Sequence, residues 1–181
     1  MTTGYDLDIS QLTHPGEADP LVKQELTACW IAVTNAGGAA GFPFPPVNAS
    51  HVAPAVDALT AGLDPSRSRI LLARVAGAVA GWVTLSRDPS PLIGHWGIVR
   101  HLQTHLAHRN EGIGSALMSK LRDVARDEMD LEQLHLAARG GVGLENFYTR
   151  LGWREVGRWP GKLRLAPDDT RDEILMLLAP L

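Results

Sequence analysis

The sequence predicts a mixed α/β fold, and three observations carry that prediction. Short β-rich stretches recur along the chain, at residues 7–12, 69–75 and 79–86 and again after residue 94. Amphipathic helical patterns alternate with them. Near the centre, the run RNEGIG at residues 109–114 joins a strand candidate to the most regular of those helices.

Each element follows from its residues. Residues 7–12 alternate as a first strand, which THPGEADP ends. Residues 22–35 form a helix with Leu26, Trp30 and Val33 on one face, and Gly37-Gly38 lies beyond its end. GFPFPPVNAS is too proline-rich for either regular element and reads as an ordered loop, with Ser50 as N-cap of a second helix running to about residue 63. Two strands then flank a hairpin at Gly77, and GHWGIVRHLQTH is a fourth strand. In the helix after the glycines, Ile113, Leu117, Leu121 and Val124 recur at helical spacing. LEQLHLAA is a strand, and GLENFYTRLG a short helix with Gly152 at its C-cap. Residues 153–159 and 174–178 close the chain as two strands, joined by a turn-rich PGKLRLAPDDTRD. With 181 residues and no repeat or linker, one domain spanning 1–181 is expected.

Composition narrows the function. A net charge of −3 makes no electrostatic case for nucleic acid. The most apolar run, ILLARVAGAVAGWVTL, is too short for a membrane span and carries Arg74. A lone Cys29 cannot form an internal disulfide, and the first residues lack a signal-peptide layout, so a cytoplasmic protein is expected.

Glycine inside a helical pattern costs about 1 kcal/mol against alanine, so Gly112 and Gly114 need a reason. A loop of free main-chain amides feeding a helix N-terminus is an anion site, and Arg109 can add a charge-assisted contact. A Walker loop is excluded because no Gly-Lys-Ser/Thr follows. A dinucleotide fingerprint is excluded because Leu117 stands where its third glycine belongs. The glycines by themselves are equally compatible with a tight strand-to-helix turn.

R-N-E-G-I-G fits the pattern Arg/Gln-x-x-Gly-x-Gly/Ala, and about thirty residues later comes ENFYTRLGW, with an aromatic pair and Leu-Gly-aromatic entering a strand. Together these resemble the GCN5-related N-acetyltransferase (GNAT) superfamily. A looser likeness in GGAAGF (37–42) and in VGRWPGKLRLAPDDTRDEI is to small-molecule acetyltransferases of the tabtoxin-resistance type. The resemblance implies a mixed, mostly antiparallel sheet of six to seven strands, splayed between strands 4 and 5 and flanked by about four helices.

It also implies acetyl-coenzyme A as acyl donor and a small-molecule amine, such as an antibiotic, toxin or amino-acid-like metabolite, as acceptor, attacked directly without an acyl-enzyme. The donor's pyrophosphate would lie on Asn110, Glu111, Gly112, Ile113, Gly114 and Ser115 beside Arg109, with Asn146 on the short helix adding to the set. The pantetheine arm would pair with the strand edge at Leu102, Gln103 and Thr104. Tyr148 would protonate the departing thiolate; its alternative role is a core aromatic beside Phe147. Phe42, Trp96 and Trp159 would touch the acceptor, with Trp30 and Phe44 adding to an apolar wall. No metal is implied. Dimers joined through C-terminal strands are common in the family, so a homodimer is compatible with it.

One part of the pattern is missing. The glutamate often found on the fourth strand falls near Ile98, residues 94–108 contain no acid, and Ala137 stands where the next strand can carry one. His101 and His95 are the substitute bases the sequence offers, while a weakly basic amine can also arrive neutral and lose its proton to water. The His101, His105, His108 spacing lacks a carboxylate or cysteine that would make a zinc site. An acyl-coenzyme A-binding protein that has lost catalysis is the alternative.

Overall fold

A computed structural model describes residues 6–38, 41–42 and 45–181. Seven strands form one sheet: β1 (Leu7–Leu12), β2 (Ser68–Val75), β3 (Ala78–Arg87), β4 (Trp96–Thr104), β5 (Gln133–Arg139), β6 (Arg154–Ala166) and β7 (Asp169–Leu178). Their order is β1-β2-β3-β4-β5-β7-β6, and every neighbouring pair is antiparallel except β4 with β5. Four α-helices flank it: α1 (Pro20–Asn35), α2 (Ala49–Ala61), α3 (Ile113–Asp123) and α4 (Leu144–Arg150).

The helices cover the sheet on two sides because their apolar stripes demand it. Leu26, Cys29, Trp30 and Val33 of α1 join Val52 and Val56 of α2 against Ile70, Leu72 and Trp82. On the opposite face Ile113, Leu117 and Leu121 of α3 pack with Leu71, Leu85, Val99, Leu134 and Met176. At its C-terminal end α3 passes into a π-turn over Val124–Glu128. Burial pushes the Cys29 thiol up to about 12, which leaves it inert as a nucleophile.

The local signals account for most boundaries. Asp19 caps α1, accepting from the Val22 amide at 2.8 Å, and Pro20 fits the first helical position. The second helix departs from the expected cap: Asn48, not Ser50, is the N-cap, its Oδ1 accepting from the Ser50 amide at 3.0 Å. Carboxamides cap at least as well as hydroxyls, and Ser50 sits two residues later, already inside the first turn. The C-terminal strands are also longer than the sequence suggests. β6 runs through PGKLRLA, and β7 begins at Asp169, so only Pro167 and Asp168 remain to join them. Pro160 is tolerated because β6 is the sheet's edge, where a missing N–H costs no ladder bond.

Two features of β4 position the site. It pairs with β5 only at Trp96↔Gln133, Gly97↔Leu134 and Ile98↔His135. Its pairing with β3 slips between Trp82 and Thr84, opposite His101, whose φ of +59° marks a bulge. At the paired end Gly97 admits a close approach: a Cβ there would lie 2.8 Å from a Leu85 methyl and 2.9 Å from methyls of Leu131 and Leu134. Gly97→Ala should therefore destabilise the protein by about 1–3 kcal/mol, by overpacking this junction. Gly16→Ala, with open space around it, should stay within about 0.5 kcal/mol. Urea unfolding midpoints of the two variants check the contrast.

Candidate active site

Three pieces of geometry meet where β4 parts from β5. The first is the loop before α3. Asn110 and Gly112 both take left-handed backbone, at φ +66° and +81°, with Gly112 as the N-cap. Among the described residues no protein acceptor takes the main-chain amides from Asn110 to Ser115. Alternating handedness turns such amides toward a common side, and the α3 dipole adds partial positive charge there. A Cβ at Gly114 would meet Phe147 Cζ at 3.4 Å and Thr104 Oγ1 at 3.6 Å, ordinary van der Waals contact, so neither dihedral nor packing within the chain demands glycine there.

Charge in the loop is arranged consistently with an anion. Glu111 is engaged by His108, Nδ1 to Oε2 at 3.0 Å, so its carboxylate has a counter-partner. Arg109 is exposed and makes no ion pair among the described residues. Asn146 lies exposed on α4.

The second piece is the open edge. Leu102, Gln103 and Thr104 lie in β4 beyond its last β5 partner, so on that side their backbone groups have no strand neighbour. On the other side Gln103 pairs with Trp82 and Thr104 with Gly81. Leu102 packs toward the α3 core, while the Gln103 side chain is buried at 2% exposure with neither amide atom bonded to protein.

The third piece is a stretch of uncovered sheet on the α1 side. Leu134, Leu136 and Ala138 point into the α3 core, so His135, Ala137 and Arg139 face the other way. Ala137 is exposed although β5 is an interior strand. Two surface hollows of about 460 and 490 Å³ lie elsewhere, by the C-terminus and between α1 and α2. At the candidate site the free β4 edge and the exposed Ala137 face solvent among the described residues.

The remaining residues singled out in the sequence fall at different distances from this junction. Tyr148 is 7% exposed, its ring edge-on to Phe147 at 5.1 Å and to Trp153 at 6.0 Å, and burial pushes its phenol up to about 12. It is thus both a core aromatic and a group that stays protonated. His101 stacks on Trp82 at 5.8 Å, meets Trp30 edge-on at 4.9 Å and shares a 3.2 Å hydrogen bond between Nδ1 and Thr84 Oγ1. Burial, with Arg100 beside it, pushes this imidazole down to about 4.

His95 is exposed just before β4, at the closed end of the strand pair, and Trp96 packs there against His135 at 3.7 Å. The structure does not bring either to the open end. Phe42 packs on Trp30 at 4.9 Å, while Phe44 and part of GGAAGF lie outside the described residues. Trp159 is 49% exposed on β6 with the Lys162 ammonium 3.8 Å over its ring. Two side chains unmarked by the sequence stand on the same open face, Arg139 and its register partner Glu173.

Comparison with known proteins decides the lineage. The profile of the Acetyltransferase (GNAT) family matches residues 24–153, most of the chain. The protein belongs to the GNAT acetyltransferase family. Solved GNAT structures share its fold throughout. A GCN5-related N-acetyltransferase from Kribbella flavida has a TM-score of 0.76 at 18% identity, covering 97% of this chain and 98% of its own. A candidate phosphinothricin N-acetyltransferase reaches 0.72 at 17% identity, covering 95% and 98%. The ribosomal-protein-S18-alanine N-acetyltransferase from Escherichia coli reaches 0.71 at 15%, covering 96% and 94%. No curated protein matches the chain. Among the described residues no helix is long and apolar enough to cross a membrane.

The imidazole of His101 gives a pH test of the site's packing. Its folded pKa lies below the unfolded value of about 6.5, so the native state favours the neutral ring. That contribution is fully present above about pH 6.5 and is lost as pH falls toward 4. Stability should fall through that window, and His101→Gln should flatten the fall by up to about 3 kcal/mol in urea denaturation.

Proposed function

We propose that this protein transfers an acetyl group from acetyl-coenzyme A to the amine of a small molecule by direct attack. One observation carries the reading: unbonded amides at Asn110–Ser115 stand beside a strand edge that has lost its neighbour. The two features fit a diphosphate and an amide-bearing arm in succession. A family whose members transfer acetyl groups supports the same donor. The acceptor class follows from the looser sequence likeness, and one neighbour of the same fold is named for a small molecule, phosphinothricin.

When bound, the thioester supplies an activated acetyl carbon. The chain's own residues do the rest. The loop amides and Arg109 hold the diphosphate, and the backbone of Leu102–Thr104 orients the arm along β4. Tyr148, kept protonated by burial, donates a hydrogen bond to the departing sulfur. Complete transfer from a phenol near 12 to a thiolate runs uphill, since thiols such as that of cysteine, at about 8.5, are the stronger acids. Exclusion of water from around the sulfur by the bound donor and acceptor raises the thiolate's own proton affinity and narrows that gap.

Proton removal from the amine has no dedicated carboxylate on β4. A His101 ring near 4 is too weakly basic to hold an ammonium proton, and His95 stands at the far end of the strand. The acceptor therefore arrives neutral and sheds its proton to water after attack. Activity should then rise with pH through the acceptor's own pKa. Profiles of kcat/KM for two acceptors of different basicity check this, since their midpoints should differ as the amines do. A common midpoint near neutrality would point instead to a protein base.

Calorimetry with coenzyme A and a thiol-release assay over an amine panel test the proposal. Binding with thiol release is expected, and Tyr148→Phe should lower kcat about 100-fold while leaving coenzyme A affinity nearly unchanged. Binding without release on any amine would make the chain an acyl-coenzyme A-binding protein, and absence of binding would remove the reading altogether.

A further inference from the structure

The open face of the sheet has an unbalanced charge. Across β5, β7 and β6, Arg139, Glu173 and Trp159 lie in one register row. A cross-strand arginine and glutamate ordinarily pair. Here Glu173 is taken by Lys162, whose ammonium also caps the Trp159 ring. Arg171, on the same face of β7 as Glu173, is taken by Asp169 at 2.5 Å. Asp172 is shared by Arg158 at 3.5 Å and the Gly161 amide at 2.9 Å. The nearby carboxylates are thereby spent, and Arg139 has no ion-pair partner among the described residues.

Among the described residues its guanidinium makes one hydrogen bond, from Nη1 to the Gly37 carbonyl at 3.4 Å. One of five donors is used. Burial, then the charge of Arg171, pull its pKa down against the opposing influence of Asp169, as expected of a cation that has lost water without gaining a full counter-charge. Its location is equally pointed. Arg139 ends β5, beyond the three residues that pair with β4, at the root of the loop that follows α1. Ala137, exposed two residues earlier on the same face, leaves a small-residue floor about 6–7 Å away.

We propose that the acceptor is an amine that also carries a carboxylate, and that Arg139 takes that carboxylate while the amine reaches over Ala137 toward the parting of β4 and β5. A guanidinium fork matches a carboxylate bidentately and gives such a site orientation as well as affinity. Arg139 is then the residue that sets specificity in the transfer reaction, and the inference rests on the acetyl transfer proposed above.

The test uses primary amines in matched pairs, each supplied as the carboxylate and as the carboxamide, with the full chain and with acetyl-coenzyme A present for turnover or coenzyme A for the Tm measurements. Thiol release and ligand-induced shifts in Tm are read in parallel. Carboxylates should be preferred by at least about tenfold in kcat/KM and should alone raise Tm. Arg139→Gln, which keeps a donor for the Gly37 carbonyl, should erase both preferences without changing coenzyme A affinity by calorimetry. Arg139→Lys should restore part of them. Equal response to carboxylate and carboxamide, a preference that survives Arg139→Gln, or no Tm shift from any carboxylate would each overturn the assignment. If coenzyme A binds but no amine releases thiol, the transfer reading fails. The carboxylate site is then judged by Tm alone, sustained by a shift that Arg139→Gln removes.

Discussion

The separation of β4 from β5 after three residue pairs is the constraint on which the rest depends. Parallel neighbours normally satisfy one another's backbone along their length. Here the pairing stops at Ile98↔His135, and two strands of a single sheet acquire free edges in its middle. The closed end is held by leucine side chains pressed against Gly97, and the open end by the bulge at His101, locked between Trp82 and Trp30. The parting is thus fixed by packing on both sides of the sheet, and it sets an unsatisfied strand edge beside the α3 loop.

That arrangement explains why residues with unremarkable chemistry acquire functional positions. Gly112 supplies a left-handed turn, and Phe147 lies beside Gly114, so α4 packs against the loop. Tyr148, the next residue, is drawn into the α3 core with its neighbour. The same burial that stabilises the ring keeps its hydroxyl protonated across the physiological range. Packing in the core is therefore compatible with the proton donation proposed for this tyrosine.

Much of this was legible in the sequence. The R-N-E-G-I-G loop, the amphipathic run from Ile113 and the aromatic-bearing α4 are local patterns, and local patterns survive into the fold. The extents of β6 and β7 were not legible, because Pro160, Gly161 and Pro167 read as turn residues while only strand order reveals that β6 is an edge. Nor was the His101 environment, since a bulge and two tryptophans from α1 and β3 create it. Arg139 and Glu173 stay invisible for a related reason: they meet through strand register, and the unbalanced charge depends on which partner Lys162 chooses. Sites built by one segment announce themselves, whereas sites built by pairing distant segments do not.

The edge strand β6 has a bearing on how copies of the chain can meet. It is thirteen residues long and largely exposed, with Val156 and Trp159 outward. Such a border would ordinarily invite extension of the sheet by another molecule. Its register with β7 slips at three places, and arginines, a lysine and a proline interrupt its outer side. A kinked, cationic border is a poor template for an unbroken inter-subunit ladder and favours short, separate stretches of backbone pairing over a continuous one.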